Sequence, residues 1–216
     1  MAETRPRSQS DLRPGPALRA VPLEDDELID RIRSGQTEAY DGLVRKYQDR
    51  VFNTCWRLCG HPEDARDLTQ DAFLKAFERL DGFRGGSGFY TWIFRIAVNL
   101  TLTHRRRTQR RRTISLDQTS PAGAGQARAL VREVADAGAD PPGRGVHEAE
   151  LMDRVAEALQ NLDDQARAVV VLRDIEGFDY ARIGEILEMP KGTVKSRLHR
   201  ARAALRAAIG EDADGP

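Results

Sequence analysis

The stretch from Asp179 to Arg202 constrains the fold of this chain most, because two short helical patterns lie on either side of a break of a few residues. Asp179 can cap the first helix, and Pro190, which lies in the break, cannot continue it. Gly192 and Thr193 can begin the second helix. Two helices joined by a tight turn are the layout of a helix-turn-helix.

The second of these helices has an unusual charge. Its apolar positions recur at i, i+4, i+7 and i+11 and form one stripe, made of Val194, Leu198, Ala201 and Leu205. Between Pro190 and Ile209 there is no acid, and the basic residues are Lys191, Lys195, Arg197, Arg200, Arg202 and Arg206. A cationic helix that fits the major groove favours DNA binding. A merely solvated basic face is the alternative, and the tight turn and the absence of acids weigh against it.

The rest of the chain also has helical patterns. Apolar residues recur at helical spacing in six segments, which are 23–33, 37–58, 63–80, 89–100, 148–162 and 163–177. Thr37 and Asp163 can cap the helices that they begin. In the segment 63–80, Phe77 belongs to the predicted inner face. No segment shows sustained period-two alternation, so we expect an all-α protein without a sheet.

Composition divides the chain into domains. Residues 1–22 are polar, contain Arg and Pro and lack the apolar region of a secretory signal, so they are expected to form a disordered tail. In residues 113–147, Gly, Ala and Pro are so frequent that we predict a flexible linker. Two small helical domains, 23–112 and 148–210, flank this linker, and residues 211–216 form a second tail.

Several classes of protein are excluded. No apolar run is long enough for membrane insertion, which takes about 18 residues. Cys55 and Cys59, with His61 close by, could suggest zinc or redox chemistry, but their spacing matches no common closed zinc set. We therefore expect buried core thiols, no metal and no cofactor, and two cysteines fit a reducing cytoplasm. The glycine-rich loop 81–88 lacks the phosphate-binding GxxxxGK[ST] pattern. An enzyme such as a recombinase or nuclease needs a nucleophile or metal cluster, and none is evident, so no catalytic residue is expected.

Aromatic and arginine residues cluster between residues 83 and 112. Five of the thirteen aromatic residues lie within twelve positions, at Phe83, Phe89, Tyr90, Trp92 and Phe94. Six arginines then fall within residues 105–112. The rings could simply enlarge the core. Rings beside a cationic helix can also stack unpaired bases while holding the nucleic-acid backbone.

Together these residues resemble the extracytoplasmic-function sigma factors, the compact class of bacterial transcription initiation factor. The resemblance covers roughly residues 26–107 and 148–208, and it is most specific in 83–99 and 192–202. It implies an alternative-promoter sigma factor that binds core RNA polymerase, recognises the −35 and −10 promoter elements and promotes DNA melting. It also implies an anti-sigma factor as a partner. A stand-alone helix-turn-helix regulator is the alternative, although duplex binding has no use for a base pocket.

The resemblance also implies roles for individual residues. Residues 23–112 correspond to sigma region 2 and residues 148–210 to sigma region 4. Core polymerase docking falls to Asp67, Gln70 and Asp71. Recognition and melting of the −10 element fall to Phe83, Ser87, Phe89, Trp92, Asn99, Arg105 and Arg106. The −35 bases are faced by Lys195, Ser196, His199 and Arg200, and the −35 phosphates by Lys191, Thr193, Arg197 and Arg202.

Some features depart from the family. The first helix of the motif usually contains Glu-Ile-Ala where this chain has Arg182-Ile183-Gly184, and the arginine run and the linker are fuller than usual. Two DNA elements separated by about 16–17 base pairs, as the family implies, lie about 55 Å apart at 3.4 Å per pair. A linker of 35 residues, with a stretched limit on the order of 115 Å, can span that distance.

Overall fold

The computed structural model describes residues 24–115 and 144–210, and within these two ranges every regular element is helical. The predicted all-α class with two helical domains is confirmed. The helices extend a few residues into the predicted linker at both ends, up to Ser115 and from Arg144. The remainder of that linker and the two predicted tails lie outside the described residues. None of the described helices is both long and apolar enough to cross a bilayer.

The first domain has four helices: α1 (Asp25–Arg33), α2 (Tyr40–Cys59), α3 (Pro62–Glu78) and α4 (Gly88–Ser115). Short 3-10 turns, Thr37–Ala39 and Leu80–Gly82, precede α2 and follow α3. Thr37, predicted to cap α2, lies within the first of these turns and makes no side-chain cap. Gly60 ends α2 with φ +82°, a conformation that favours glycine, and Pro62 then begins α3 in the first helical position.

Helices α2, α3 and α4 form the core of the first domain. Val51, Cys55 and Leu58 of α2 are completely buried, as their helical spacing predicts. Burial raises the pKa of the Cys55 thiol, and it raises that of Cys59 to about 11. Both cysteines are therefore core thiols, as predicted. Among residues 24–115 and 144–210, no three His, Cys, Asp or Glu side chains are grouped so that they could hold a metal ion.

The second domain also has four helices: α5 (Arg144–Asn161), α6 (Asp164–Val170), α7 (Tyr180–Leu187) and α8 (Lys191–Ile209). A π-helical turn, Val171–Ile175, continues α6. Asp163 and Asp179 cap α6 and α7, as predicted, and each carboxylate accepts hydrogen bonds of 2.8–3.0 Å from the backbone N–H groups two and three residues later. Helices α7 and α8 form the predicted helix-turn-helix.

The two domains pack directly against each other, so that their apolar residues form one continuous core. The Tyr90 ring on α4 stacks on Phe178, which follows the π turn, with ring centroids 4.8 Å apart and planes inclined by 15°. Phe94 meets the same Phe178 ring edge-on at 5.3 Å. The two-domain organisation predicted from composition did not include this contact.

Candidate nucleic-acid interface

Helix α8 separates its residues between a buried stripe and an exposed face. Val194, Leu198 and Ala201 are at most 3% exposed, and they pack against the rest of the second domain. The opposite side is exposed at four residues predicted to face bases: Lys195, Ser196, His199 and Arg200. Because these positions recur three to four residues apart, they lie on one side of the helix. Lys191 is exposed at the start of the helix, and Thr193 is half-buried.

Two arginines of α8 are already engaged by their own domain. Arg202 donates from Nε and Nη2 to the Asp174 carboxylate, with 3.1 Å between Nε and Oδ2, and this pairing raises the pKa of Arg202. The Arg197 Nη1 atom lies 3.8 Å from Asp163 Oδ1, and its Nε is buried without a hydrogen-bond partner among the described residues. Arg202 therefore braces α8 against the domain, whereas Arg197 only approaches a carboxylate of its own domain.

The turn of the helix-turn-helix depends on Gly184. The backbone N–H of Met189 donates to the Gly184 carbonyl at 3.0 Å, so the chain folds back tightly onto α7. A Cβ at position 184 would lie 2.8 Å from the Met189 carbonyl oxygen, closer than such atoms normally approach. A side chain at position 184 would therefore crowd this turn, which is a physical reason for glycine at a position where the family usually has alanine.

The aromatic residues predicted to act at the −10 element form one cluster at the start of α4. The Phe83 ring lies 5.0 Å from Trp92 and 6.2 Å from Phe89, measured between centroids. Phe83 and Phe89 are buried, at 6% and 1% exposed, and Trp92 and Ser87 are half-buried. Phe83 and Phe89 therefore form the buried base of this aromatic cluster. Trp92 is the aromatic residue of the predicted set that still has exposed surface.

Arg33 holds the loop that carries Phe83, a role that the sequence analysis did not include. Its Nη2 atom donates to the carbonyl oxygens of Leu80, at 3.2 Å, and of Phe83. Arg33 lies about 50 positions before Phe83 in the chain, at the end of α1. An arginine is expected at such a position for another reason as well, because the helix dipole stabilises a cation there. No local pattern distinguishes these two roles.

Further along α4, the predicted residues divide between two faces. Trp92, Asn99 and Arg106 recur every seven residues, so they share one face at intervals of about 10.5 Å. Asn99 and Arg106 are exposed there. Arg105 points elsewhere, because its Nε donates to Asp164 Oδ1 of the second domain at 2.7 Å. The structure therefore groups Trp92, Asn99 and Arg106 and separates Arg105 from them.

Helix α3 presents the residues predicted to dock on polymerase. Asp67, Gln70 and Asp71 are all exposed. Beside them Leu74 is 55% exposed and Phe77 is 39% exposed, so the prediction that Phe77 belongs to the inner face is wrong. A groove between α2 and α3 continues this surface, and its lining includes Tyr40, Val44, Phe52, Phe73 and Gln70. The surface thus combines acids with exposed apolar side chains.

Comparisons with known proteins match both domains. The Sigma-70 region 2 family matches residues 43–111, and the Sigma-70, region 4 family matches residues 152–205. The chain is 34% identical over 186 residues to the RNA polymerase sigma-H factor of Pseudomonas aeruginosa, covering 86% of this chain and 94% of that protein. It is 33% identical over 178 residues to the ECF RNA polymerase sigma factor SigW of Bacillus subtilis, covering 82% and 92%. The structure of CnrH in complex with the cytosolic domain of CnrY matches with a TM-score of 0.62 and 27% identity, covering 88% of this chain and 99% of CnrH.

Proposed function

The chain belongs to the extracytoplasmic-function sigma factors, and we propose which of its surfaces carries each part of the work of an alternative sigma factor. It binds core RNA polymerase, recognises −35 and −10 promoter elements and promotes melting, while the polymerase performs the chemistry. The observation that supports this assignment is the presence in one chain of two distinct surfaces: the exposed basic side of α8 and the Trp92–Asn99–Arg106 face of α4.

Helix α8 recognises the −35 element in the major groove. Lys195, Ser196, His199 and Arg200 face the base edges, since they are exposed on one side of the helix. Arg200 makes a long hydrogen bond of 3.4 Å to the Ser196 carbonyl, and none of the ion pairs among the described residues engages it. It is therefore available for a guanine, the most common target of arginine. Lys191, Thr193 and Arg197 contact phosphates, and Arg202 combines that role with holding the helix in place through Asp174.

Helix α4 holds the melted −10 element. Trp92 stacks an unpaired base, Asn99 contacts a flipped base, and Arg106 binds the backbone of the same strand. Phe83 and Phe89 keep the loop and Trp92 in position, together with Ser87 at the start of the helix. Taking a base out of the stack costs a few kcal/mol, which these contacts must offset. Arg105 joins this surface only when it leaves Asp164.

Helix α3 docks on core polymerase through Asp67, Gln70 and Asp71. We extend this surface to Leu74 and Phe77, because large exposed apolar side chains at the edge of a groove are typical of a protein interface.

The family also suggests where the protein works and what controls it. A protein that acts on polymerase and promoter DNA works in the cytoplasm. An anti-sigma factor is the expected regulator, and CnrH, which resembles this chain, is found in complex with the cytosolic domain of CnrY. No enzymatic activity is assigned to the chain.

The test is to mix the purified protein with bacterial core RNA polymerase and to measure complex formation by size-exclusion chromatography. A stable one-to-one complex is expected, followed by specific run-off transcription. Asp71→Lys on the docking face should weaken the complex, whereas Asp30→Lys, on the exposed side of α1, should not. Failure to form a complex at micromolar concentration, together with tight duplex binding by the protein alone, would favour a stand-alone regulator.

A further inference from the structure

The groove between α2 and α3 is lined by aromatic rings. Its volume is about 720 Å³, which lies within the range of ligand pockets, about 300–1,000 Å³. The Phe77 ring stands edge-on to Tyr40, with 4.9 Å between centroids, and the Tyr40 hydroxyl donates to the Phe73 carbonyl at 2.6 Å. These contacts hold the rings in place and still leave Tyr40 and Phe77 partly exposed. The groove is therefore a preformed apolar surface that the described part of the chain does not cover.

Carboxylates surround this groove. Two aspartates line it from α2 and two more lie beside it on α3, namely Asp41, Asp49, Asp67 and Asp71. All four are exposed, and within residues 24–115 and 144–210 none of them forms an ion pair. Arg66, which also lines the groove, is already paired with Glu63 at 2.9 Å. The edge of the groove therefore carries negative charge that favours a cationic occupant.

The residues that precede α1 have the complementary chemistry. Residues 12–23, called here the 12–23 segment, read LRPGPALRAVPL and contain two arginines, no acid, four large aliphatic residues and three prolines. Proline-containing segments bind aromatic-lined grooves with little loss of conformational freedom, because each proline fixes φ. An arginine can pair with a carboxylate and can also stack on an aromatic ring. The charge, the apolar content and the prolines of this segment therefore all suit the groove.

The 12–23 segment is also long enough to reach the groove. Helix α1 begins at Asp25, whose carboxylate accepts hydrogen bonds from Lys46 Nζ at 2.7 Å and from the Tyr47 hydroxyl. Both donors belong to α2, and the next residue, Gln48, lines the groove. To reach it the segment must pass around α2, a helix of about 10–12 Å diameter. Twelve extended residues span up to about 40 Å, so the segment can lie along the groove while α1 stays in place.

We propose that the 12–23 segment docks in the α2–α3 groove of its own chain and there competes with core polymerase for α3. Its arginines pair with the aspartates at the edge, and its aliphatic side chains and prolines cover the aromatic rings. The docking residues Asp67, Gln70 and Asp71 line or border the same groove, so the segment and polymerase exclude each other. Apparent affinity for polymerase then follows the fraction of chains whose segment is undocked. The docking depends on this chain alone, whereas the competition rests on the proposed sigma function.

Photo-cross-linking of the purified full chain tests the docking without polymerase. Gln48→p-benzoyl-phenylalanine places the reactive group at an exposed position of the groove lining. The control is Glu157→p-benzoyl-phenylalanine, at an exposed position of α5 in the second domain. After irradiation, proteolysis and mass spectrometry identify the peptide attached to each position. We expect position 48 to capture the 12–23 segment within monomeric protein, and position 157 not to capture it.

Two results would overturn the docking. One is the absence of the 12–23 segment from the peptides captured at position 48. The other is capture between two chains, visible as covalent dimers, which would assign the groove to a second copy. Because no polymerase is present, either result is independent of the proposed function.

Charge reversal within the segment tests the competition. Arg13→Glu combined with Arg19→Glu replaces two attractions to the aspartates with repulsions, so the segment should dock less. We expect the affinity of the full chain for core polymerase to rise by up to about tenfold, as two surface ion pairs allow. Arg5→Glu combined with Arg7→Glu is the matched control, because it changes the net charge equally just outside the segment. This control should leave the affinity unchanged.

Equal polymerase affinity of the two charge-reversed proteins would contradict the competition. If polymerase bound neither of them nor the unmodified chain, while position 48 still captured the segment, the proposed function would fail and the docking would stand. The two failures are therefore distinguishable.

Discussion

Arg167 is the buried cation on which the second domain most depends. Its side chain is 1% exposed, and it donates to four carbonyl oxygens. Nε bonds to Leu159 at 2.6 Å, Nη2 bonds to Gln160 at 2.6 Å and to Leu162 at 2.8 Å, and Nη1 reaches Leu58 at 2.8 Å. Three of these carbonyls lie at or just beyond the end of α5, where a helix leaves its last acceptors unpaired. Burial lowers the pKa of Arg167 to about 10, so the guanidinium stays charged at neutral pH.

Arg167→Met retains much of the apolar stem but removes the guanidinium from all four carbonyls. Two of them keep another donor: Leu58 accepts from Arg105 at 2.9 Å, and Leu159 accepts from the backbone N–H of Leu162 at 3.3 Å. A hydrogen bond to a charged group contributes about 1.5–3 kcal/mol, and losses within one network do not add in full, so the four bonds together correspond to about 3–5 kcal/mol. We expect a loss in this range. Most of it should fall on the second domain, because only the Leu58 bond crosses to the first. Arg167→Lys should be intermediate, since one ammonium group cannot reach acceptors spread around a planar fork.

The assay is urea unfolding of the full chain at neutral pH with two probes. Both tryptophans, Trp56 and Trp92, lie in the first domain, so their fluorescence reports that domain, whereas far-ultraviolet circular dichroism reports both. For Arg167→Met the dichroism transition should shift to lower urea than the fluorescence transition. Arg154→Met, at an exposed arginine of α5, should change stability by no more than about 0.5 kcal/mol. A loss below about 1 kcal/mol for Arg167→Met would refute the reasoning.

Four further predictions concern the helix-turn-helix and the −10 surface. Gly184→Ala should lower the unfolding midpoint, because the 2.8 Å approach of its Cβ to the Met189 carbonyl outweighs a helix-propensity gain of about 1 kcal/mol, and a higher midpoint would contradict this. Backbone hydrogen bonds hold the pKa of Asp179 below its usual range. The charged cap should therefore contribute fully to the free energy of unfolding above the pKa of the unfolded state, and this contribution should vanish as the pH falls through the pKa of the folded state. Asp179→Ala should lose this contribution, whereas Asp179→Asn should retain the cap. Arg200→Ala should weaken −35 binding by about 1–3 kcal/mol and relax base preference in a promoter-library selection. Asn99→Ala should reduce open-complex formation more than −35 binding. Equal losses of the two in footprinting would count against the role of Asn99 in a base pocket.

The positions of the helices could be predicted because burial of one face leaves a periodic trace in the sequence. The caps at Asp163 and Asp179 were equally predictable, since a cap involves neighbouring residues only. The periodicity predicts the wrong face for Phe77, because it locates the centre of a buried stripe better than its edge. The Phe77 ring lies at that edge, 4.9 Å from Tyr40, and remains partly exposed.

The contact between the domains could not be predicted, because its members are far apart in the chain. Glu176 and Thr54 are 122 residues apart, and neither has a local pattern that separates it from an ordinary surface acid or helical threonine. In the sequence Arg105 belongs to a basic run, whose composition suggests nucleic-acid binding. Its pairing with Asp164 depends on how two separate helices meet. The exposed side of α8 was predictable, whereas the bracing of Arg202 by Asp174 was not.

The π turn at Val171–Ile175 has a consequence for how such chains diverge. The backbone N–H of Glu176 donates to the Val171 carbonyl at 3.0 Å, five residues back, so this turn contains one residue more than an α-helical turn. Deleting a single codon here would restore the α-helical repeat and rotate everything that follows by about 100°. Glu176 and Phe178 would then turn away from the first domain together. Gain or loss of one residue in this turn would thus decide whether the two halves of the chain can associate through these side chains.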